Sequence, residues 1–256
     1  NGGGAFVLVY LIFVVVMGFT VMMAEMTVGR HTGKNPVGAF QSLSKKWGFV
    51  GKIGVLNGYI ILSYYSVIGG WVLKYMFSYI TGGNFGDNTA DYFTGFIGEA
   101  VSPVIWHLIF MGLTIFIVAR GVSGGIEKAS KFMMPGLFLL LIVVAVRSCT
   151  LPGAAEGLRY FLVPDFSKFN AGVVVAAMGQ VFFSLSLGIG VICTYGSYLS
   201  KNENLEKNSL YVPGLDTIAA MLSGLAVIPA VFAAFPGAGA ENVTAGPSLL
   251  FITLPA

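Results

Sequence analysis

The stretch Gly179–Tyr198 reads GQVFFSLSLGIGVICTYGSY. It is apolar and long enough to cross a bilayer, which takes about 20 residues. Its middle nevertheless holds Ser184, Ser186, Gly188 and Gly190, where Leu, Ile or Val would ordinarily sit. Each glycine costs about 1 kcal/mol of helix propensity relative to alanine. An unpaired peptide group in hydrocarbon costs several kcal/mol, so a spanning helix does not break there without a reason. Two readings compete. Small residues let neighbouring helices approach closely. Alternatively the helix is interrupted, and its freed carbonyls and amides bind an ion and a charged group of a small molecule. Gln180, Ser184 and Gly188 recur at i, i+4 spacing, which on a helix makes a polar stripe. An amide at membrane depth needs a partner or a water-lined cavity, and this favours the interruption.

Other residues could contribute chemistry. Tyr65, in SYYSVIGGW, offers an aromatic body with one donor, suited either to packing or to closing a site over an anion. Ile61 lies one turn earlier on the same face. Asp216 follows Pro213-Gly214 and on pattern alone reads as the N-cap of a helix beginning at Thr217. Glu25, near the cytoplasmic end of the first span and five residues before Arg30, reads as an interfacial charge. Cys149 and Cys193 fall at different expected depths, so no disulfide is expected. His31 and His107 sit on unrelated segments beside predicted helix ends and read as interfacial. No Cys-x-x-Cys or paired-His metal spacing occurs.

The elements that must position these residues follow from composition. Apolar residues make up 56% of the chain and charged ones 10%, against about a quarter charged in soluble domains. With a mean hydropathy of +0.83, the chain reads as an all-α, polytopic membrane protein. The net charge of +3 carries no implication of nucleic-acid binding. Six runs qualify as spans: about 5–28, 55–80, 104–119, 132–146, 173–199 and 210–235 of a single transmembrane domain over 1–256. The third and fourth are short and are expected to borrow from their flanks. Arg30, Lys34, Lys45, Lys46 and Lys52 lie between the first two spans, Arg120, Lys128 and Lys131 between the next two, and Lys201 and Lys207 between the last two. The alternate connections carry Asp87, Asp91, Glu99, Glu156 and Asp165 against Arg147, Arg159 and Lys168. The positive-inside rule makes the Lys-rich loops cytoplasmic, with the start outside and the sequon at Asn242 external. The chain opens on Asn rather than Met and closes on the apolar PSLLFITLPA. It is therefore expected to be a piece of a longer protein.

Across its length the chain resembles the neurotransmitter:sodium symporter family, in its bacterial branch. GQVFFSLSLGIGVICTYGSY is similar to that family's sixth helix and NGGGAF to its link between helices one and two. AEMTVGRHTGKNP resembles the end of helix two, SYYSVIGGW helix three, and GIEKASKFMMP the start of helix five. LRYFLVPDFSKF resembles the following external loop and DTIAAMLSGLAVIPAVFAAF helix seven. The resemblance implies helices two to seven of a leucine-transporter-like inverted-repeat bundle with a discontinuous sixth helix. It implies sodium-coupled symport of an amino acid or similar zwitterion or amine across the cytoplasmic membrane by alternating access, with no enzyme activity and no cofactor beyond the coupling ion. Its implied partners are this substrate, sodium and the bilayer.

Residue by residue, the resemblance implies that Phe183 covers the substrate and that Ser184 ligates the first sodium while facing the pocket. Ser186, Gly188 and Ile189 would line the pocket at the break, and some relatives carry a bulky aromatic at the Ile189 position. Tyr65 would hold the substrate carboxylate, with Ile61 as an apolar wall. Asp216 would fall inside helix seven, where relatives supply an Asn to the first sodium. A carboxylate there is a harder oxygen ligand and a fixed negative charge beside the ion. In animal members a chloride supplies that charge, held at positions matching Tyr10, Gln180, Ser184 and a helix-seven serine that is Ala220 here. Transport independent of chloride is therefore expected. Glu25 matches a glutamate that hydrogen-bonds the broken helices from behind. On the residues alone a channel, a polytopic membrane enzyme and a non-transporting sensor of the same fold are alternatives. Against the enzyme, no nucleophile–base pair or His/Cys/Asp cluster recurs at membrane depth.

Overall fold

The computed structural model describes residues 2–83, 89–234, 246 and 249–253. Asp87, Phe235 and the Asn242 sequon lie outside them. The described residues divide into two compact units, Asn1–Ile61 with Leu158–Gly224 and Leu62–Gly157 with Leu225–Ala256.

The first unit opens with α1 (Gly4–Phe13), which runs through a π-helical turn at Val14–Gly18 into α2 (Phe19–Thr32). Together they make one apolar helix of 29 residues. Gly33, at φ 60°, ends it in the left-handed conformation, and Arg30 and His31 in the last turn suit the negative end of the helix dipole. The short α3 (Pro36–Leu43) starts where the Asn35 side chain accepts from the Gly38 N–H at 2.8 Å, with Pro36 at the first helical position, where no N–H is needed. Then come α4 (Gly48–Ile80), α8 (Ala154–Leu162), α9 (Ala171–Ser184), α10 (Val191–Tyr198) and α11 (Leu205–Ala234), of which α4, α8 and α11 cross the unit boundary. α9 is capped by Asn170, whose side chain accepts from the Val173 N–H at 3.1 Å.

The core of this unit is Tyr10, Val14, Met22, Met26, Ala177, Val181, Leu185, Leu187 and Ile192. α1 packs on α9, and α2 packs on α10. The second pair is unusually close. A Cβ on Gly29 would collide with the Cys193 carbonyl, and one on Gly196 would lie 2.6 Å from the Met26 carbonyl oxygen. Glycines here let two backbones touch, the usual way membrane helices gain contact without a hydrophobic drive.

The second unit holds the rest of α4, then α5 (Thr89–Gly98), α6 (Ser102–Ala119), a π-helical turn at Val122–Ile126, α7 (Glu127–Cys149) and a π-helical turn at Leu249–Thr253. Its core is aromatic. Tyr75, Phe93 and Phe251 are buried together, with Trp71 and Tyr92 packed against them. The Tyr75 hydroxyl donates to the Phe251 carbonyl at 3.1 Å, and the Thr89 hydroxyl donates to Ile252 at 2.9 Å.

Five of these helices are long and apolar enough to cross a membrane: Gly4–Thr32, Lys45–Ile80, Ser102–Ala119, Val122–Cys149 and Leu205–Ala234. The described helices reach beyond the apolar runs at most ends, because helical hydrogen bonding continues into flanking polar residues. The largest extension is that of the run at 132–146, which sits inside Val122–Cys149. Cys149 and Cys193 are both free thiols.

Candidate functional site

The run at 173–199 is not one helix. α9 stops at Ser184 and α10 starts at Val191. The stop is a built structure. The Leu187 N–H donates to the Phe182 carbonyl at 3.0 Å, and the Ser186 N–H to the Phe183 carbonyl at 3.2 Å. This pair of bonds is the Schellman arrangement, which requires a left-handed residue just past the helix end. Ser186 occupies that place at φ 53°, the lone non-glycine residue with positive φ among the described residues. Gly188 and Gly190 follow at φ 79° and 78°. The backbone therefore turns left-handed three times in five residues, and glycine is needed at two of them.

Side chains pin this segment in place. Leu185 and Leu187 are each 3% exposed and sit in the core, whereas Ser184 and Ser186 between them are only half-buried. The alternation Ser-Leu-Ser-Leu turns one face of the break inward and leaves its hydroxyls on the other. Gly190 caps α10 without a side chain to accept from it, so the first-turn N–H groups lack intrahelical partners.

Two carboxylates flank the break. Glu25 on α2 accepts from the Gly188 N–H through Oε1 at 2.7 Å. Asp216 on α11 accepts through Oδ2 from the Ser184 hydroxyl at 2.6 Å. Asp216 is therefore not a helix N-cap. α11 begins eleven residues earlier, at Leu205, where the Asn204 side chain accepts from the Lys207 N–H at 3.0 Å. Pro213 and Gly214 lie inside the helix; in an apolar segment the remaining backbone bonds outweigh the missing one. A second correction concerns the polar stripe. Gln180 and Ser184 share a face of α9, but Gly188 does not continue it, because the helix ends at Ser184.

The remaining expected residues fall as follows. Phe183 and Gln180 lie exposed on α9, Gly188 is exposed in the break and Ile189 is half-buried. Tyr10 on α1 is 5% exposed, stacks on Phe6 at 6.4 Å, and buries its hydroxyl without a hydrogen-bond partner. Ile61 and Tyr65 are one turn apart on α4, Ile61 half-buried and Tyr65 exposed with its ring 5.2 Å from that of Tyr64. Tyr65 belongs to the second unit.

Sequence reasoning missed the supports. A Cβ on Gly54 of α4 would lie 3.2 Å from the Ile189 carbonyl carbon and 3.5 Å from the Gly188 oxygen. Pro36 at the start of α3 would lie 2.7 Å from a Cβ on Gly190. Neither contact had a signal in local pattern. Leu185 and Leu187 did: a period of two inside a helical run marks backbone that has left the helix.

Residues 1–90 and 95–256 match the Sodium:neurotransmitter symporter family. The chain is 40% identical over its whole length to a Bacillus subtilis protein described as the uncharacterized sodium-dependent transporter YhdH, covering 57% of that protein. It is 38% identical to an uncharacterized sodium-dependent transporter of Haemophilus influenzae, covering 58% of it. It is 25% identical to the human sodium- and chloride-dependent GABA transporter 2, covering 50%. The crystal structure of MhsT in complex with L-phenylalanine superposes on the whole chain with a TM-score of 0.91 at 45% identity, over 58% of that structure. The fold is thus leucine-transporter-like, and the chain spans a little over half the length of these bacterial relatives. The match to that family over nearly the whole chain makes it a member of the sodium:neurotransmitter symporter family.

Proposed function

We propose that the protein carrying this chain is a sodium-coupled symporter of an amino acid or related small zwitterion or amine. It would work by alternating access in the cytoplasmic membrane. The observation that carries the proposal is the interruption at Leu185–Gly190 with the Ser184 hydroxyl 2.6 Å from the Asp216 carboxylate. Sodium is a hard cation that prefers oxygen, and a hydroxyl beside a carboxylate is an oxygen donor set of the right kind. The bare peptide groups on either side of the break add carbonyl and amide partners at membrane depth.

In this reading Ser184 and Asp216 ligate the first sodium. Ser186, Gly188 and Ile189 line the substrate pocket and Phe183 closes it. Tyr65 is assigned to the substrate carboxylate and Ile61 to an apolar wall, on the motif SYYSVIGGW. Glu25 holds the break by accepting from Gly188. Tyr10 and Gln180 are assigned, on the resemblance alone, to positions matching those that hold chloride in animal members. The fixed charge of Asp216 makes chloride dispensable. The six apolar runs correspond to family helices two to seven within one transmembrane domain. That MhsT was crystallised with L-phenylalanine supports an amino-acid substrate, and the sodium-dependent relatives support the coupling ion.

The test is uptake of a radiolabelled amino-acid panel by the full-length protein in proteoliposomes, with and without an inward sodium gradient. Sodium-stimulated accumulation of at least one compound is expected. No stimulation for any of them would overturn the proposal.

A further inference from the structure

Between Glu25 and Asp87 the chain contains no acidic residue, while Arg30, Lys34, Lys45, Lys46 and Lys52 all fall in that interval. Two apolar helices, Gly4–Thr32 and Lys45–Ile80, bracket its middle, so the connection between them lies at a membrane surface. The basic excess makes that surface the cytoplasmic one. A cleft of about 510 Å³ opens here, lined by Lys34, Gly38, Gln41, Ser42 and Lys45. Two lysines and a glutamine are among its lining residues and no acidic residue is, while the Ser42 hydroxyl already donates to the Ala39 carbonyl at 2.8 Å. Such a donor set matches a phosphate anion carrying hydroxyls around it.

Beside the cleft the surface is apolar. Trp47 and Phe49 are 56% and 54% exposed, and their rings stack at 6.0 Å. Leu43, at the end of α3, is 54% exposed. Exposed aromatics at the mouth of a spanning helix belong at the headgroup level of a bilayer. A free anion has no use for them; a lipid does.

We propose that this cleft is a binding site for an anionic phospholipid of the cytoplasmic leaflet. Lys34 and Lys45 hold its phosphate, and Trp47, Phe49 and Leu43 lie along its acyl chains. The proposal is independent of what the protein transports. It is a site for a lipid held at one place, as opposed to diffuse attraction by surface charge.

The experiment is lipid retention by the purified full-length protein, read by native mass spectrometry after equilibration in mixed phosphatidylglycerol–phosphatidylcholine vesicles. Wild type should retain phosphatidylglycerol in preference to phosphatidylcholine. A lysine near an anionic surface contributes about fivefold in affinity, so the double variant Lys34→Gln/Lys45→Gln should lose roughly thirtyfold. Lys34→Arg/Lys45→Arg should restore retention, which separates lost charge from misfolding. Retention unchanged in the glutamine variant would overturn the proposal. So would an equal loss from Lys201→Gln/Lys207→Gln, which would mean diffuse charge, or displacement of phosphatidylglycerol by millimolar inorganic phosphate, which would mean a free-anion site.

Discussion

Replacing Glu25 by alanine removes the acceptor for the Gly188 N–H, a bond of 2.7 Å. Hydrogen bonds to a charged partner contribute about 1.5–3 kcal/mol, and an orphaned buried donor adds its own desolvation cost. Gly188 is exposed in the break, so water offsets part of the loss and leaves about 1–2 kcal/mol. The loss falls on the conformation in which the interrupted segment is ordered. If Ser184 ligates sodium as proposed, ordering the segment it shares with Gly188 and binding sodium are coupled. The apparent sodium affinity of the full-length Glu25→Ala protein should therefore fall about five- to thirtyfold. Sodium titration of labelled-substrate binding in detergent measures this directly. Glu25→Gln keeps an oxygen at the same distance without the charge and should lie between alanine and wild type. Glu25→Ala within about twofold of wild type, with an unchanged melting temperature, would refute the claim that this carboxylate holds the break.

Four further outcomes are expected. Asp216→Ala strips Ser184 of its acceptor and should weaken sodium activation by about tenfold or more, whereas Asp216→Asn should lose less; chloride-free buffer should leave wild-type uptake unchanged, and a large loss would remove the fixed-charge argument. Ser186→Gly relieves a left-handed residue at φ 53° and should stabilise the solubilised protein by about 0.5–1 kcal/mol in thermal unfolding; a lower melting temperature would show that the serine side chain contributes more than the backbone costs it. Gly29→Ala and Gly196→Ala each drive a Cβ into a facing backbone and should destabilise by about 1–3 kcal/mol, seen as lost monodispersity or a lower melting temperature.

The interruption was legible in part. Two glycines and two serines at the middle of an apolar run marked the place but suit close helix packing as well as a break, and it was the Gln180 amide and the resemblance to a broken sixth helix that favoured the break. Asp216 shows the opposite case. Pro-Gly followed by Asp and Thr carries every local sign of a helix start, yet α11 begins at Leu205 and passes through them. What decides there is the membrane, which penalises any unpaired backbone more than a proline penalises the helix. The family resemblance placed Asp216 inside the helix, which local pattern did not. The π-helical turns at Val14–Gly18 and Val122–Ile126 had no signal at all. One extra residue per turn changes no apolar pattern enough to be seen.

Among the described residues Lys131 and Glu127 form an ion pair at 2.7 Å on the surface of α7. Neither Glu25 nor Asp216 has a lysine or arginine within ion-pair reach, although both sit on apolar spanning helices. A carboxylate at such depth is costly unless something positive compensates it. The Gly188 N–H supplies part of that for Glu25, through a backbone dipole. For Asp216 the partner is a hydroxyl, which orients one oxygen and brings no charge. The protein could have placed a lysine opposite Asp216 and gained a stable pair. Under the function proposed above, a mobile coupling cation rather than a fixed base would meet the charge of Asp216 beside the break. In that reading a fixed base would hold the site closed, whereas a sodium that can leave would allow it to cycle.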